Sequence, residues 1–315
     1  MEKVTIGNTD IAVARFNLGG NVFGWTLDEK QSFELLDAYT ESGFDFIDTA
    51  DMYSHWANGG VGGQSETIIG KWLKGRGNRD KVVIATKVGG PTGVNEINTS
   101  RKHILESVDK SLRRLQTDYI DLYYTHYDDE KTPIEETLAA YDELIRAGKV
   151  RYIAASNISP DRLRESLKVA EENNLPKYQA LQPLYNLVER KGYETDYAPI
   201  VAEHGLTVFP YYALASGFLT GKYRSEEDFN KSPRGQGAAN YLNEQGLKVL
   251  HALDKVAEKH QTVPATVALA WLSAQPHIGG PIASATSKEQ LKEILSSTSL
   301  QLDSADLDLL DTASK

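Results

Sequence analysis

Apolar side chains fall along this chain in two alternating patterns. Compact runs at Phe16–Leu18, Phe44–Asp48, Val82–Lys87, Tyr119–His126, Val150–Ser156, Tyr178–Gln182, Leu206–Tyr211 and Ile278–Ala283 read as eight strands. Longer amphipathic stretches lie between them with recognisable helix ends. Ser32–Ser42 stops at Gly43, Thr132-Pro133-Ile134-Glu135 reads as a capping box with proline at the first helical position, that helix stops at Gly148, and Ser159-Pro160 opens another in the same way. Strands separated by helices need crossover connections and therefore run parallel. Eight such units predict an α/β fold, a closed (β/α)8 TIM barrel. A β-hairpin around Val4–Ile6 and Ile11–Val13, turned at Gly7-Asn8, precedes it. The polar stretch Tyr223–Asn240 is a long loop after the seventh strand, Leu242–His260 an extra helix, and Asp303–Thr312 a closing helix outside the barrel. No linker interrupts the alternation, so residues 1–315 are expected to form a single barrel domain.

Composition narrows the function. With 34 basic against 44 acidic side chains, a formal charge of -10 and 40% hydrophobic residues over 315 positions, the chain has the makings of a folded core. Its acidic balance gives no electrostatic reason to seek nucleic acid or an anionic membrane. Without cysteine there is no disulfide, no thiolate nucleophile and no Cys-ligated metal. Neither a leader nor an apolar run approaching ~18 residues is evident, and a soluble cytoplasmic protein is expected.

A doubly wound open sheet, the alternative fold, would carry a dinucleotide fingerprint at its first strand-to-helix turn. Gly19-Gly20-Asn21-Val22-Phe23-Gly24, Gly59–Gly63 and Gly89–Gly93 all lack that spacing, and no phosphate loop or G-x-S-x-G elbow occurs. The histidines form no H-x-x-x-H pair, and Asp128-Asp129-Glu130 reads as a solvated loop, so no metal is expected. In a barrel the site lies at the C-terminal ends of the strands. Asp48, Lys87 and His126 end the second, third and fourth strands, and Tyr53 follows Asp48 by five residues. Each alone reads as a cap, a snorkelling lysine, a core histidine or a half-buried aromatic. Together, a carboxylate, an ammonium, an imidazole and a phenol form a proton-transfer set suited to protonating a carbonyl oxygen, with the ammonium expected to lower the phenol's pKa.

These stretches closely resemble the aldo-keto reductase superfamily, in the style of its bacterial and potassium-channel beta-subunit branches. Phe46-Ile47-Asp48-Thr49-Ala50-Asp51-Met52-Tyr53 followed by Ser65-Glu66-Thr67-Ile68-Ile69-Gly70 is similar to the first family signature, and Val83–Lys87 and Tyr119–His126 to its lysine and histidine strands. Gly148–Asn157, Gln182-Pro183-Leu184-Tyr185-Asn186 and Pro210–Tyr223 resemble the fifth, sixth and seventh strand motifs. The resemblance implies catalysis by Asp48, Tyr53, Lys87 and His126. It implies a nicotinamide cofactor, NADP with NAD possible, against Gly20, Asn21, Asp48, Ser156, Asn157, Gln182, Tyr211, Tyr212, Leu214, Ser216, Gly217, Leu219, Lys222, Ser284, Thr286, Lys288, Gln290 and Glu293. Tyr211 would stack on the nicotinamide ring, and Trp25, Tyr53, Trp56, His126 and Tyr127 would meet the substrate.

Three departures stand out. Only Lys288 is basic in Ser284–Gln290, where many members supply cations to the adenosine 2'-phosphate, and Tyr212-Ala213 replaces the usual Ser-Pro. Ile294 also replaces an adenine-contacting Asn, leaving Glu293. The function expected is reversible, NAD(P)H-dependent reduction of aldehydes or ketones to alcohols. The alternatives are a cofactor-binding regulatory subunit with little turnover, or an NAD(P)-assisted sugar epimerase or lyase.

Overall fold

The computed structural model describes residues 2–57, 61–92, 96–232 and 235–315. Parts of three sequence features therefore lie outside the described residues: positions 59–60 of Gly59–Gly63, 93 of Gly89–Gly93 and 233–234 of Tyr223–Asn240.

Two antiparallel strands open the chain, β1 (Lys3–Thr5) and β2 (Ala12–Ala14), with Lys3 opposite Ala14. Eight parallel strands follow: β3 (Asn17–Gly19), β4 (Phe46–Asp48), β5 (Val83–Val88), β6 (Ile120–Thr125), β7 (Val150–Ser156), β8 (Ala180–Gln182), β9 (Thr207–Val208) and β10 (Ile282–Ala283). They lie side by side in chain order, with β10 returning to pair with β3. Closure comes from the segment before β10: Val208 N donates to His277 O at 3.0 Å and Gly279 N to Val208 O at 2.8 Å. The result is a closed eight-stranded barrel.

Alternation along the strands sorts the core into two layers. Phe46, Ala85, Leu122, Tyr124, Ala154, Ala180 and Phe209 point inward with Ile6, Ile11 and Val13 of the hairpin segment. Ile47, Ile84, Tyr123, Ile153 and Leu181 point outward against the helices. The hairpin stands at the N-terminal ends of the strands, where Ala14 N donates to Asp45 Oδ1 at 2.9 Å.

The helices are α1 (Glu29–Glu41), α2 (Gln64–Arg76), α3 (Arg101–Leu115), α4 (Ile134–Arg146), α5 (Pro160–Glu172), α6 (Ala198–His204), α7 (Gly235–Ala238), α8 (Glu244–Lys259), α9 (Pro264–Ser273), α10 (Lys288–Leu295) and α11 (Ser304–Ser314). Helix α1 starts earlier than its apolar pattern suggests, because Asp28 and Gln31 form a capping box. Ser159 caps α5 with Pro160 behind it. The capping box expected at Thr132 does not form: Asp129 accepts both the Thr132 backbone N–H and its hydroxyl, and Pro133 takes the cap position. Helices α8 and α11 pack together, and Lys259 Nζ donates to Asp303 and Asp306 at 2.7 Å each. No helix among the described residues is long and apolar enough to cross a membrane.

Candidate active site

Asp48 closes β4, Lys87 is the penultimate residue of β5, and His126 directly follows β6. Parallel pairing sets Asp48 beside Ala85 and Lys87 beside Tyr124, so the three emerge on one rim. Tyr53 reaches that rim from the loop after β4, in a turn closed by its backbone N–H donating to Ala50 O at 3.2 Å.

The fully buried Lys87 ammonium spends all three protons here: on Asp48 Oδ2 at 2.5 Å, on Thr49 O at 2.8 Å and on the Tyr53 phenolic oxygen at 2.9 Å. That phenol donates to Asp48 Oδ2 at 3.2 Å, and Gln182 Nε2 donates to Asp48 Oδ1 at 2.9 Å. An ammonium with three fixed acceptors is locked in orientation. Burial pulls Lys87 below the usual lysine range, against the opposing pull of Asp48. Burial, then the charge of Asp48, raise the Tyr53 phenol well above its usual value. This corrects the expectation that Lys87 would lower it: desolvation and the carboxylate outweigh the ammonium. Tyr53 is thus protonated at neutral pH, as a proton donor must be.

His126 is buried, its Nδ1 without a partner and its ring edge-on to Tyr53 at 6.1 Å between centroids. Burial, then Lys87, push its pKa well below the usual histidine value, so the imidazole is neutral. Gly90 makes room for it, since a Cβ there would run into Met52 Sδ and lie 2.9 Å from His126 Nδ1. Asn157, in the left-handed region at φ 42°, donates to His126 O at 2.8 Å and accepts from the Tyr211 hydroxyl at 3.1 Å.

Above this rim opens a cavity of about 1060 Å³, larger than the ~300–1,000 Å³ of ordinary small-ligand sites. Tyr53, Trp56, His126 and Tyr127 line it, as do Asn21, Ser156, Asn157, Gln182, Tyr211, Tyr212, Leu214, Ser216, Gly217, Lys222, Ser284, Thr286, Gln290 and Glu293. Lys222 and Lys231 are its lining lysines among the described residues, beside a turn in which Ala215, Ser216 and Gly217 all have positive φ. Such a backbone run makes a concavity suited to anions. Asn186 Nδ2 donates to the carbonyl of Tyr212, itself at φ 51°, and pins the start of this turn at 2.9 Å.

Asp48 and Lys87 stand behind Tyr53, off the cavity wall. Other expected contacts are also set back. Gly20 is buried, its carbonyl accepting from Ser65 Oγ at 2.7 Å, and Gly19 and Asn21 line the cavity instead. Leu219 is fully buried in the core. Lys288 is exposed outside the cavity and acts electrostatically on Asp37. Trp25 supports Trp56 edge-on at 5.6 Å and is not part of the wall. Gly19, Lys231, Ser232 and Val263-Pro264-Ala265 line the cavity in addition to the expected contacts. No cluster of metal-ligating side chains occurs among the described residues.

Comparison with known proteins agrees with this geometry. The model of the aldo/keto reductase family matches residues 15–315. An uncharacterized oxidoreductase of Bacillus subtilis, YrpG, is 34% identical over 99% of this chain and 95% of its own. A probable voltage-gated potassium channel subunit beta of Arabidopsis thaliana is 32% identical over 93% and 90%. An NADH-specific methylglyoxal reductase of Escherichia coli is 30% identical over 98% and 97%. The chain belongs to the aldo/keto reductase family, whose members are carbonyl-reducing oxidoreductases that use nicotinamide cofactors.

Proposed function

We propose that this protein reduces aldehydes or ketones to alcohols, reversibly and with NADPH or NADH, in a single barrel domain with Tyr53 as proton donor. The observation that carries this is the Lys87 ammonium, which holds Asp48 and the Tyr53 phenol together beside a neutral His126. The cavity fits the cofactor: it has room for a dinucleotide and a substrate, and Lys222 and Lys231 beside the left-handed turn suit a diphosphate.

When bound, the nicotinamide supplies the hydride that goes to the carbonyl carbon. Tyr53 gives its phenolic proton to the carbonyl oxygen, completing the alcohol. To do so it turns that proton from Asp48 towards the cavity. Lys87 keeps its bond to the phenolic oxygen and stabilises the negative charge left there until solvent returns a proton. Asp48, braced by Gln182, keeps Lys87 charged and aimed. His126, neutral and backed by Asn157, donates to the carbonyl oxygen and orients it. Tyr211, whose hydroxyl donates to Asn157, would pack on the nicotinamide ring. Trp56 and Tyr127 form an aromatic wall for the substrate.

A regulatory subunit is the second reading, favoured by the name of the Arabidopsis relative. A carbonyl panel followed by nicotinamide absorbance separates the two. Net consumption of reduced cofactor with matching alcohol formation is expected. Tight cofactor binding without turnover on any member of the panel would favour the regulatory subunit, and product without net consumption an epimerase or lyase.

A further inference from the structure

Five ionisable groups act on one another where β4 and β5 end: Asp48, Asp51, Glu66 of α2, Lys87 and Arg114 of α3. Four of them are matched. Lys87 pairs with Asp48, while the fully buried Glu66 accepts from Arg114 Nε on Oε2 and from Thr86 Oγ1 on Oε1, both at 2.6 Å. Arg114 also donates to Ser111 Oγ at 3.2 Å. Three carboxyls thus face two cations whose hydrogen bonds go to other acceptors. Asp51 is the carboxyl left over, and its buried Oδ1 has no partner.

The position of Asp51 matters because its backbone N–H donates to Lys87 O at 3.3 Å, two residues before Tyr53. Its carboxyl sits in the field of Glu66 from α2, Arg114 from α3 and Lys87 from β5, and its charge is felt by the phenols of Tyr123 in β6 and Tyr141 in α4. Lys87 in turn feels Asp51 after Asp48.

Resting on the assignment of Tyr53 as proton donor, we propose that Asp51 is a positioning residue for proton transfer, acting through Lys87. As a neutral acid it leaves Lys87 free to support the Tyr53 oxygen. As a carboxylate it draws positive charge toward itself and makes both the ammonium and the phenol hold their protons more tightly. Burial first, then Glu66, push its carboxyl up to about 7, against the pull of Arg114, a backbone hydrogen bond from Met52 and the charge of Lys87, so the change falls at neutral pH. A more tightly held phenolic proton weakens the acid, so carbonyl reduction should decline as pH rises through this range.

The test compares kcat/KM for carbonyl reduction from pH 6 to 8.5 in the wild type, Asp51→Asn and Asp51→Glu. The wild type should lose a few-fold to about tenfold, corresponding to a coupling of up to one pKa unit. Asp51→Asn should lack that decline and Asp51→Glu should restore it. Superimposable profiles for wild type and Asp51→Asn would overturn the proposal. Infrared difference spectra of the intact wild type between pH 6 and pH 8 give a second readout that needs neither turnover nor a folded variant. Aspartate-labelled protein should lose a protonated carboxyl band, and absence of the band overturns the proposal. The same band should persist in Tyr53→Phe, so failure of the proton-donor assignment would leave the titration of Asp51 visible.

Discussion

Two buried ionic networks stand at opposite ends of this barrel, and they are built differently. At the N-terminal end Asp121 is saturated: Oδ2 accepts from Arg79 at 2.7 Å and from Ile84 N at 2.9 Å, and Oδ1 accepts from Arg151 at 2.9 Å. Both arginines reach partway into solvent, which softens the desolvation of the charge. At the C-terminal end the Lys87 ammonium is fully buried, His126 Nδ1 and Asp51 Oδ1 lack partners, and Tyr53, Lys87, His126 and Asp51 all shift in pKa. Saturated networks hold a fold together, whereas buried groups left unmatched or displaced from their usual pKa mark chemistry. On the proposed function, the two networks divide stability from reactivity along the barrel axis.

Substitutions at the two ends should split accordingly. The largest effect is expected for Lys87→Met, which removes the proton-donor support, worth about 10²–10⁴ in kcat, and leaves Asp48 uncompensated at a cost of about 3–5 kcal/mol. Steady-state kinetics and urea unfolding read the two losses separately. Arg79→Ala should cost about 1–3 kcal/mol while kcat of the folded protein stays at the wild-type level. A fall in kcat on the scale of Lys87→Met would break the comparison.

A smaller effect concerns pH. Because the folded-state pKa of His126 is depressed, the unfolded chain binds the extra proton first as pH falls through ~6.5, and stability declines below that point. Melting temperatures of His126→Gln should therefore fall less between pH 7 and pH 5 than those of the wild type. Arg151→Ala should have the least effect, about 0.5 kcal/mol, because its side chain is 38% exposed and Arg79 keeps the other Asp121 oxygen occupied. Urea unfolding of Arg151→Ala beside Arg79→Ala checks that order.

Much of this architecture was legible along the chain because buried parallel strands are compact apolar runs and helix ends carry local signals. Strand ends were less so. Ile278–Ala283 reads as one strand, yet β10 holds only Ile282 and Ala283, since Pro281 lacks an N–H and Gly280 lies where a Cβ would sit 2.6 Å from the Arg15 backbone. Thr132 followed by Pro133 and Glu135 looks like a helix cap, but Asp129, three residues earlier, captures the threonine first. At the site, strand-end position alone marked Asp48, Lys87 and His126. What held them was hidden: Gln182 meets Asp48 across 134 residues, and Glu66, Arg114 and Asp51 come together only when α2 and α3 pack. Tertiary pairing also explains the phenol's upward shift, which depends on how deeply Tyr53 sits and on which oxygen it shares with Lys87.

The proposed reaction depends on Tyr53 as the source of the proton. The most direct test is single-turnover reduction of an aryl aldehyde by protein preloaded with NADPH or NADH, in the wild type and in Tyr53→Phe, with cofactor binding followed by tryptophan fluorescence. Tyr53→Phe should bind the cofactor as the wild type does and lose about 10²–10⁴ of the rate of nicotinamide oxidation. Near wild-type oxidation in Tyr53→Phe with the cofactor bound would contradict it.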